Sequence, residues 1–284
     1  MLINGKKIAD DILALLKKDI EELNIQPKLV FILVGQHAPS QTYVRMKKKA
    51  CQKVGILSEV IECEKEIPER DLIKKVEECN SDSSIHGILV QLPLPSHIDE
   101  KKIMFAIDPK KDVDGFHPLN IGKMFLGDFS SLLPCTPHGI LMLLKKSEIS
   151  AEGKHVVIIG RSNIVGKPLA AMLIQNKKEC NATVTVCHSR TRNLQEYTKK
   201  ADILITAIGK PNFIKKEMVK KDSIIIDVGI NRIEENNRSK LVGDVDFEDV
   251  APHVSKITPV PGGVGPMTIA MLLHNTFLAS RLVQ

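Results

Sequence analysis

Tryptophan is absent from these 284 residues and tyrosine occurs twice, so there is no aromatic platform on which nucleic-acid bases could stack. Charge of one sign is also scarce: the formal +6 is the difference between 40 basic and 34 acidic residues interspersed along the chain. That mild balance argues against a nucleic-acid partner and leaves small anions as the better fit. No apolar run approaches the roughly 18 residues needed to cross a bilayer, so no membrane partner is expected. The start, MLINGKKIADD, lacks both the apolar core of a secretion signal and the acid-poor, arginine-rich character of a transit peptide. Six cysteines, at 51, 63, 79, 135, 180 and 187, form no C-x-x-C pair and have no histidine at metal-ligand spacing. They read as reduced thiols, no metal is expected, and a cytoplasmic location follows as the default. No internal repeat or low-complexity tract is present.

What is there is an ordinary globular composition, 43% hydrophobic, with length enough for two modest domains or one large one. The most informative stretch is His155 to Ala171, HVVIIGRSNIVGKPLAA. An apolar run ends at Gly160, and Gly166 opens an apolar helical segment: strand, glycine turn, helix. Such a turn aims backbone N–H groups and a helix N-terminus at an anion, which suits a diphosphate, although the stretch also reads as a simple strand-to-helix turn. It is not a nucleoside-triphosphatase loop, because Pro168 stands where a magnesium-binding Ser or Thr would follow Lys167. Nor is it the full dinucleotide fingerprint, because Ser162 replaces the middle glycine of G-x-G-x-x-G. Three further buried-strand candidates follow, at 182–187, 202–208 and 223–228, alternating with helical segments. That order predicts an α/β fold with a parallel sheet. After the second strand the chain reads His188-Ser189-Arg190-Thr191-Arg192, with no carboxylate for ribose hydroxyls. Hydroxyls and guanidinium groups suit a 2′-phosphate, hence NADP rather than NAD, although the same run also reads as a plain solvated turn.

The N-terminal half begins with a helical stripe over 6–23 and a buried strand over 29–34. Ser40 is the expected cap of a second helix, on which Tyr43, Lys47, Ala50 and Val54 share one face. Lys48 and Lys49 rotate away from that face and read as solvated. A lysine desolvated beside a tyrosine can have its pKa lowered and act as a base, or simply extend its ammonium outward, and the pattern leaves both open. Further on, a strand is expected over 57–61, a helix over 69–79, and a strand over 87–90 that runs into Gln91-Leu92-Pro93-Leu94-Pro95. Gln91 then sits at a strand's carboxyl end, where open α/β sheets bind ligands, or is an ordinary polar strand terminus. Lys111-Asp112-Val113-Asp114-Gly115 is a turn with two carboxylates. Thr136 is the expected cap, with Pro137 at the first position, of a helix leading into the second half. The polar insert 234–240 reads as flexible, and Thr258-Pro259-Val260-Pro261-Gly262-Gly263-Val264-Gly265-Pro266 as a shaped loop before a helix over 268–283.

These pieces in this order, SQTYVRMKKKA (40–50), VQLPLP (90–95), KDVDGFHPLN (111–120), PCTPHG (134–139), GRSNIVGKP (160–168), GDVDF (243–247) and TPVPGGVGPMT (258–268), resemble the bifunctional methylenetetrahydrofolate dehydrogenase/cyclohydrolase family along nearly the whole chain. The resemblance implies a two-domain α/β enzyme. An N-terminal α/β catalytic domain (1–138 with 268–284) would bind tetrahydrofolate derivatives, a Rossmann-like domain (139–267) would bind NADP, and folate would enter the interdomain cleft. It implies Lys47 as the central catalytic residue with Tyr43 and Gln91 beside it, Asp114 on the pterin, and Pro261, Gly262 and Gly263 closing on the folate. It places Gly160, Arg161, Ser162, Ile164, Gly166, Ser189, Arg190, Ile230 and Thr268 around NADP. A homodimer, and a role in one-carbon supply including purine biosynthesis, belong to the same expectation. Two other readings stand beside it: an amino-acid or shikimate dehydrogenase on the same two-domain plan, and a silent NADP- or folate-binding module.

Overall fold

The computed structural model describes residues 1–235 and 238–282. The chain forms two compact units, one from Asp11–Cys135 together with the residues from Ile269 onward, the other from Met1–Asp10 with Thr136–Thr268.

The first unit contains most of α1 (Gly5–Glu22), whose Ile12, Leu16 and Ile20 are buried at helical spacing. Next come β1 (Lys28–Val34), α2 (Ala38–Val54), β2 (Leu57–Cys63), α3 (Glu69–Ser81) and β3 (Gly87–Val90). The three strands pair in parallel in the order β2-β1-β3. Six of the seven β1 residues are buried on alternating faces, as a central strand covered on both sides requires. One face packs Val30, Ile32, Ile88 and Val90 on Leu72 and Val76 of α3 and on Ile103 of α4 (Glu100–Ala106). After α5 (Pro118–Phe125) the unit ends at the start of α6 (Cys135–Lys146). Lys111, nearly without exposure, closes the C-terminal end of α3: its Nζ donates to the carbonyls of Cys79, Asn80 and Asp82 at 3.1, 2.7 and 2.7 Å. Desolvation lowers its pKa.

The second unit contains β4 (His155–Ile159), α7 (Gly166–Leu173), β5 (Thr183–Cys187), α8 (Leu194–Thr198), β6 (Ile203–Thr206) and β7 (Ile224–Asp227). The hairpin β8 (Asn231–Glu235) and β9 (Arg238–Val242), α9 (Phe247–Val250) and β10 (Lys256–Ile257) complete its second half. Its parallel sheet runs β10-β7-β6-β4-β5. The N-terminal residues cover the β10 edge, with Leu2 bridging Ile257 in parallel and Ile3 N donating to Ile257 O at 2.9 Å. The last helix, α10, spans Val264–Leu282.

Four expectations change. The insert 234–240, read as a flexible polar segment, carries strand pairing on either side of Asn236 and Asn237, which lie outside the described residues: Asn231 pairs with Val242 and Glu234 with Ser239 in an antiparallel ladder. Helix α10 starts at Val264, so Val264-Gly265-Pro266 belong to its first turn and the loop is shorter than expected; Val283 is outside the described residues. Ser40 lies inside α2, whose N-cap is His37, because Pro39 suits the first turn and moves the start forward. Thr136 likewise lies inside α6, which begins at Cys135.

Candidate active site

In the first unit the site is built where β3 runs out. Gln91 N donates to Ile32 O at 2.9 Å, extending the ladder one residue past the strand and fixing where the side chain starts. Its Nε2 donates one N–H to Leu92 O at 2.8 Å, which fixes the amide so that its oxygen accepts from Lys47 Nζ at 3.1 Å. Lys47 is half-buried on α2, whereas Lys48 and Lys49 are exposed, as their rotation on the helix requires. Tyr43, 40% exposed, precedes Lys47 by one turn. Instead of capping, Ser40 is buried and its Oγ hydrogen-bonds His37 Nδ1 at 2.9 Å and donates to Leu92 O at 3.4 Å. It thus ties the start of the lysine helix to the residue after Gln91.

The structure separates the two aspartates of the 111–115 turn. Asp112 is buried and accepts from Gly115 N, His117 N and Asn120 Nδ2 at 3.2, 2.7 and 3.0 Å. Its task is to hold the turn. Asp114 receives no side-chain hydrogen bond among the described residues, and its acceptors remain for a ligand. Desolvation pushes its carboxyl up to about 6, Lys47 draws it down and Asp112 adds to the rise. Gly115 has φ +76°, and a side chain there would strike the backbone of Leu133. Asn275 of α10, buried, fixes the same turn: its Nδ2 donates to Val113 O and Leu133 O, both at 2.8 Å. Cys135 Sγ donates to Val113 O at 3.1 Å, and burial raises that thiol's pKa well above its usual value. An Asn inside the apolar run TIAMLLHNTFLAS was the one available signal for this clamp.

A carboxylate of this kind titrates within the working range. kcat/KM for a substrate held by Asp114 is expected to fall as pH drops through about 6, because burial raises the carboxyl to about that value and protonation removes its charge. The fall should be absent from Asp114→Asn, and rate profiles of both proteins between pH 5 and 8, a window of the order set by ordinary stability limits, check it.

In the second unit, Gly160, Arg161, Ser162, Ile164 and Gly166 follow β4; Ser189 and Arg190 follow β5; Ile230 follows β7; and Thr268 lies in α10. Since the sheet is parallel, the residues that follow β4, β5 and β7 gather at one carboxyl edge. The strand order reverses direction at β4, with β5 on one side and β6 on the other, which is the switch point where doubly wound sheets bind nucleotides. Gly160 has φ +124°, and a side chain on it would overlap Ala207 O; one on Gly166 would overlap Gly160 O. Both glycines therefore let backbone meet backbone, a reason beyond the anion. In α7, Lys167 N donates to Ser162 O, and Pro168 has no N–H to offer. Among the described residues, no hydrogen bond uses the backbone N–H of Arg161, Ser162, Asn163, Ile164 or Gly166, which leaves five donors available to an anion. Ile164 and Ile230 are 44% and 45% exposed. After β5, His188 N donates to Thr191 Oγ1 and Arg190 N to His188 Nδ1, at 2.9 and 3.1 Å, leaving Ser189 and Arg190 outward. The donor set fits a phosphorylated dinucleotide. Thr268 Oγ1 pairs with Thr136 Oγ1 at 3.0 Å, the contact Thr136 makes instead of capping. Pro261, Gly262 and Gly263 are in this unit, where Lys6 N donates to Gly262 O at 2.8 Å.

Among the described residues no three His, Cys, Asp or Glu are grouped to hold a metal, and no helix is long and apolar enough to cross a membrane. All six cysteines are buried and free.

A nucleotide-type parallel sheet joined to an α/β unit with a lysine, amide and carboxylate site defines the class, a two-domain nucleotide-dependent enzyme. The catalytic-domain model of tetrahydrofolate dehydrogenase/cyclohydrolase matches residues 3–114, and its NAD(P)-binding-domain model matches 134–283. The chain belongs to the tetrahydrofolate dehydrogenase/cyclohydrolase family. It is 55% identical to the bifunctional protein FolD of Prosthecochloris aestuarii over 97% of this chain and 96% of that one. The bifunctional FolD structure from Campylobacter jejuni aligns with TM-score 0.94 and 49% identity, covering 99% of both chains. The Trypanosoma brucei methylenetetrahydrofolate dehydrogenase-cyclohydrolase, solved with NADP and an inhibitor, aligns with TM-score 0.94 and 35% identity over 100% and 98%.

Proposed function

We propose that the chain oxidises 5,10-methylenetetrahydrofolate to the 5,10-methenyl form with NADP and hydrolyses that product to 10-formyltetrahydrofolate. The observation that carries this reading is the Lys47 Nζ to Gln91 Oε1 contact at 3.1 Å, in the unit that also holds Asp114 with unspent acceptors. NADP, when bound, supplies the hydride acceptor. The stretch from Gly160 to Gly166 is assigned its diphosphate, Ser189 and Arg190 its 2′-phosphate, and Ile164, Ile230 and Thr268 its nicotinamide half.

In the oxidation the carbon between two nitrogens becomes cationic and is stabilised by their lone pairs, so the chain's own task is alignment. Asp114 accepts paired N–H groups of the pterin, and Tyr43 and the Lys47–Gln91 pair hold the one-carbon bridge. Pro261, Gly262 and Gly263 offer backbone to the folate. Hydrolysis asks more: water adds to the cationic methenyl carbon and gives up both protons, one released to solvent and one taken by the departing nitrogen. Lys47 carries that proton, oriented by Gln91.

The test is an assay with methylenetetrahydrofolate and either NADP or NAD, following the reduced nicotinamide and the methenyl product together. Reduction is expected with NADP, with kcat/KM about tenfold or more above NAD, as one charge-assisted phosphate contact provides. Arg190→Ala should narrow that gap. Absence of turnover with either nucleotide would support the silent module instead. A cytoplasmic homodimer serving one-carbon supply, including purine biosynthesis, is the proposed setting; the buried, unpaired cysteines support a reducing compartment.

A further inference from the structure

At the carboxyl edge of the second unit's sheet, two buried carboxylates sit back to back without any cation paired to them among the described residues. Asp227, at the end of β7, accepts through Oδ1 from Gly229 N, Asp244 N and Thr206 Oγ1 at 2.9, 3.0 and 3.2 Å, and through Oδ2 from Val245 N at 2.9 Å. Asp244, fully buried just after β9, reaches the other way. Its Oδ2 accepts from Ile208 N and Gly209 N at 2.7 and 3.2 Å, and its Oδ1 from Lys210 N and Asn231 Nδ2 at 2.9 and 3.0 Å. Four N–H donors match the acceptor capacity of one carboxylate. Gly229 and Gly243 are held to glycine by this packing: a side chain on Gly229 would overlap the Asp244 carboxylate, and one on Gly243 the Asp227 carboxylate.

The loops so gathered are those that follow β6 and β7, the edge on which the nucleotide is placed. Two links lead from Asp244 to that site. Ile230 stands exposed between Gly229, which packs on the Asp244 carboxylate, and Asn231, which bonds it. On the other side, the peptide whose N–H at Ile208 is held by Asp244 carries the Ala207 carbonyl, which lies against Gly160 at the start of the glycine turn. A shift of the 207–210 loop would therefore be felt both at the glycine turn assigned to the diphosphate and at Ile230, assigned to the nicotinamide half.

We infer that Asp244 is a positioning residue for the nucleotide site, holding the Ile208–Lys210 loop and Asn231 so that Ile230 and the glycine turn keep their places. This rests on the NADP assignment made above. Asp244→Asn tests it, because a carboxamide must turn an NH2 toward at least one of four N–H donors. KM for NADP and the Kd of NADPH from fluorescence titration should both rise about tenfold or more, the loss expected for an unpaired buried donor. Hydrolysis of methenyltetrahydrofolate without nucleotide, assigned to Lys47, Gln91 and Asp114 of the other unit, should stay within about twofold, as for sites that share no partners. Asn231→Leu, which removes one donor and leaves the carboxylate, should give a smaller rise in the same constants and serves if the first variant does not fold. Unchanged nucleotide constants in both variants, or an equal loss of hydrolysis and oxidation, would overturn the inference. If the wild-type protein failed to bind NADPH, the NADP assignment itself would fail, and that control is read first.

Discussion

Replacing Lys47 by Met is expected to lower methenyltetrahydrofolate hydrolysis by about 10³-fold while leaving oxidation measurable, reduced by about tenfold. The first figure is the usual contribution of a positioned acid/base group. The second reflects loss of the Nζ to Gln91 contact, which helps hold the bridge but moves no proton during hydride loss. Met keeps the length and apolar stem of the side chain, so α2 should be undisturbed. Steady-state assays of both steps on one preparation decide the point, and hydrolysis near the wild-type rate with oxidation abolished would reverse the assignment.

The second large effect is at Asp114. Asp114→Ala should lower kcat/KM for methylene- and methenyltetrahydrofolate alike by about 10²-fold, since hydrogen bonds to a charged group contribute about 1.5–3 kcal/mol. The equality of the two losses matters more than their size. A residue that only holds the pterin serves both substrates in the same way, whereas Lys47 distinguishes them. Asp114→Asn, which keeps one acceptor, should lose less. Asp112 makes the contrast: its carboxylate is already occupied by Gly115, His117 and Asn120, so its loss should appear first in thermal stability.

Some of this was legible in the chain and some was not, for physical reasons. Strand β3 and the core of β1 were plain because a doubly covered parallel strand is written as a continuous apolar run, and Gly87–Val90 and 29–34 are such runs. The face shared by Tyr43 and Lys47 was plain because 3.6-residue spacing sorts Lys47 from Lys48 and Lys49. Cap residues were misread at Ser40 and Thr136, since both hydroxyls are used in long-range contacts, to Leu92 and Thr268, that no local pattern encodes. The hairpin β8–β9 was missed because its strands, NRIEE and RSKLV, carry charge instead of apolar alternation. Which of Asp112 and Asp114 keeps free acceptors, and the pairing of Asp227 with Asp244, depend on donors distant in sequence and become visible only in the fold.

The central claim is that one lysine-centred folate site performs both steps. Its most direct test is inhibition by a tetrahydrofolate analogue that lacks the one-carbon bridge, titrated against oxidation and hydrolysis in the same buffer with NADP present throughout. A single site gives one inhibition constant for both reactions, and the Asp114→Ala protein should weaken both by the same factor. Hydrolysis that continues at concentrations where oxidation has stopped would mean two sites, and Lys47 could then serve only one of them.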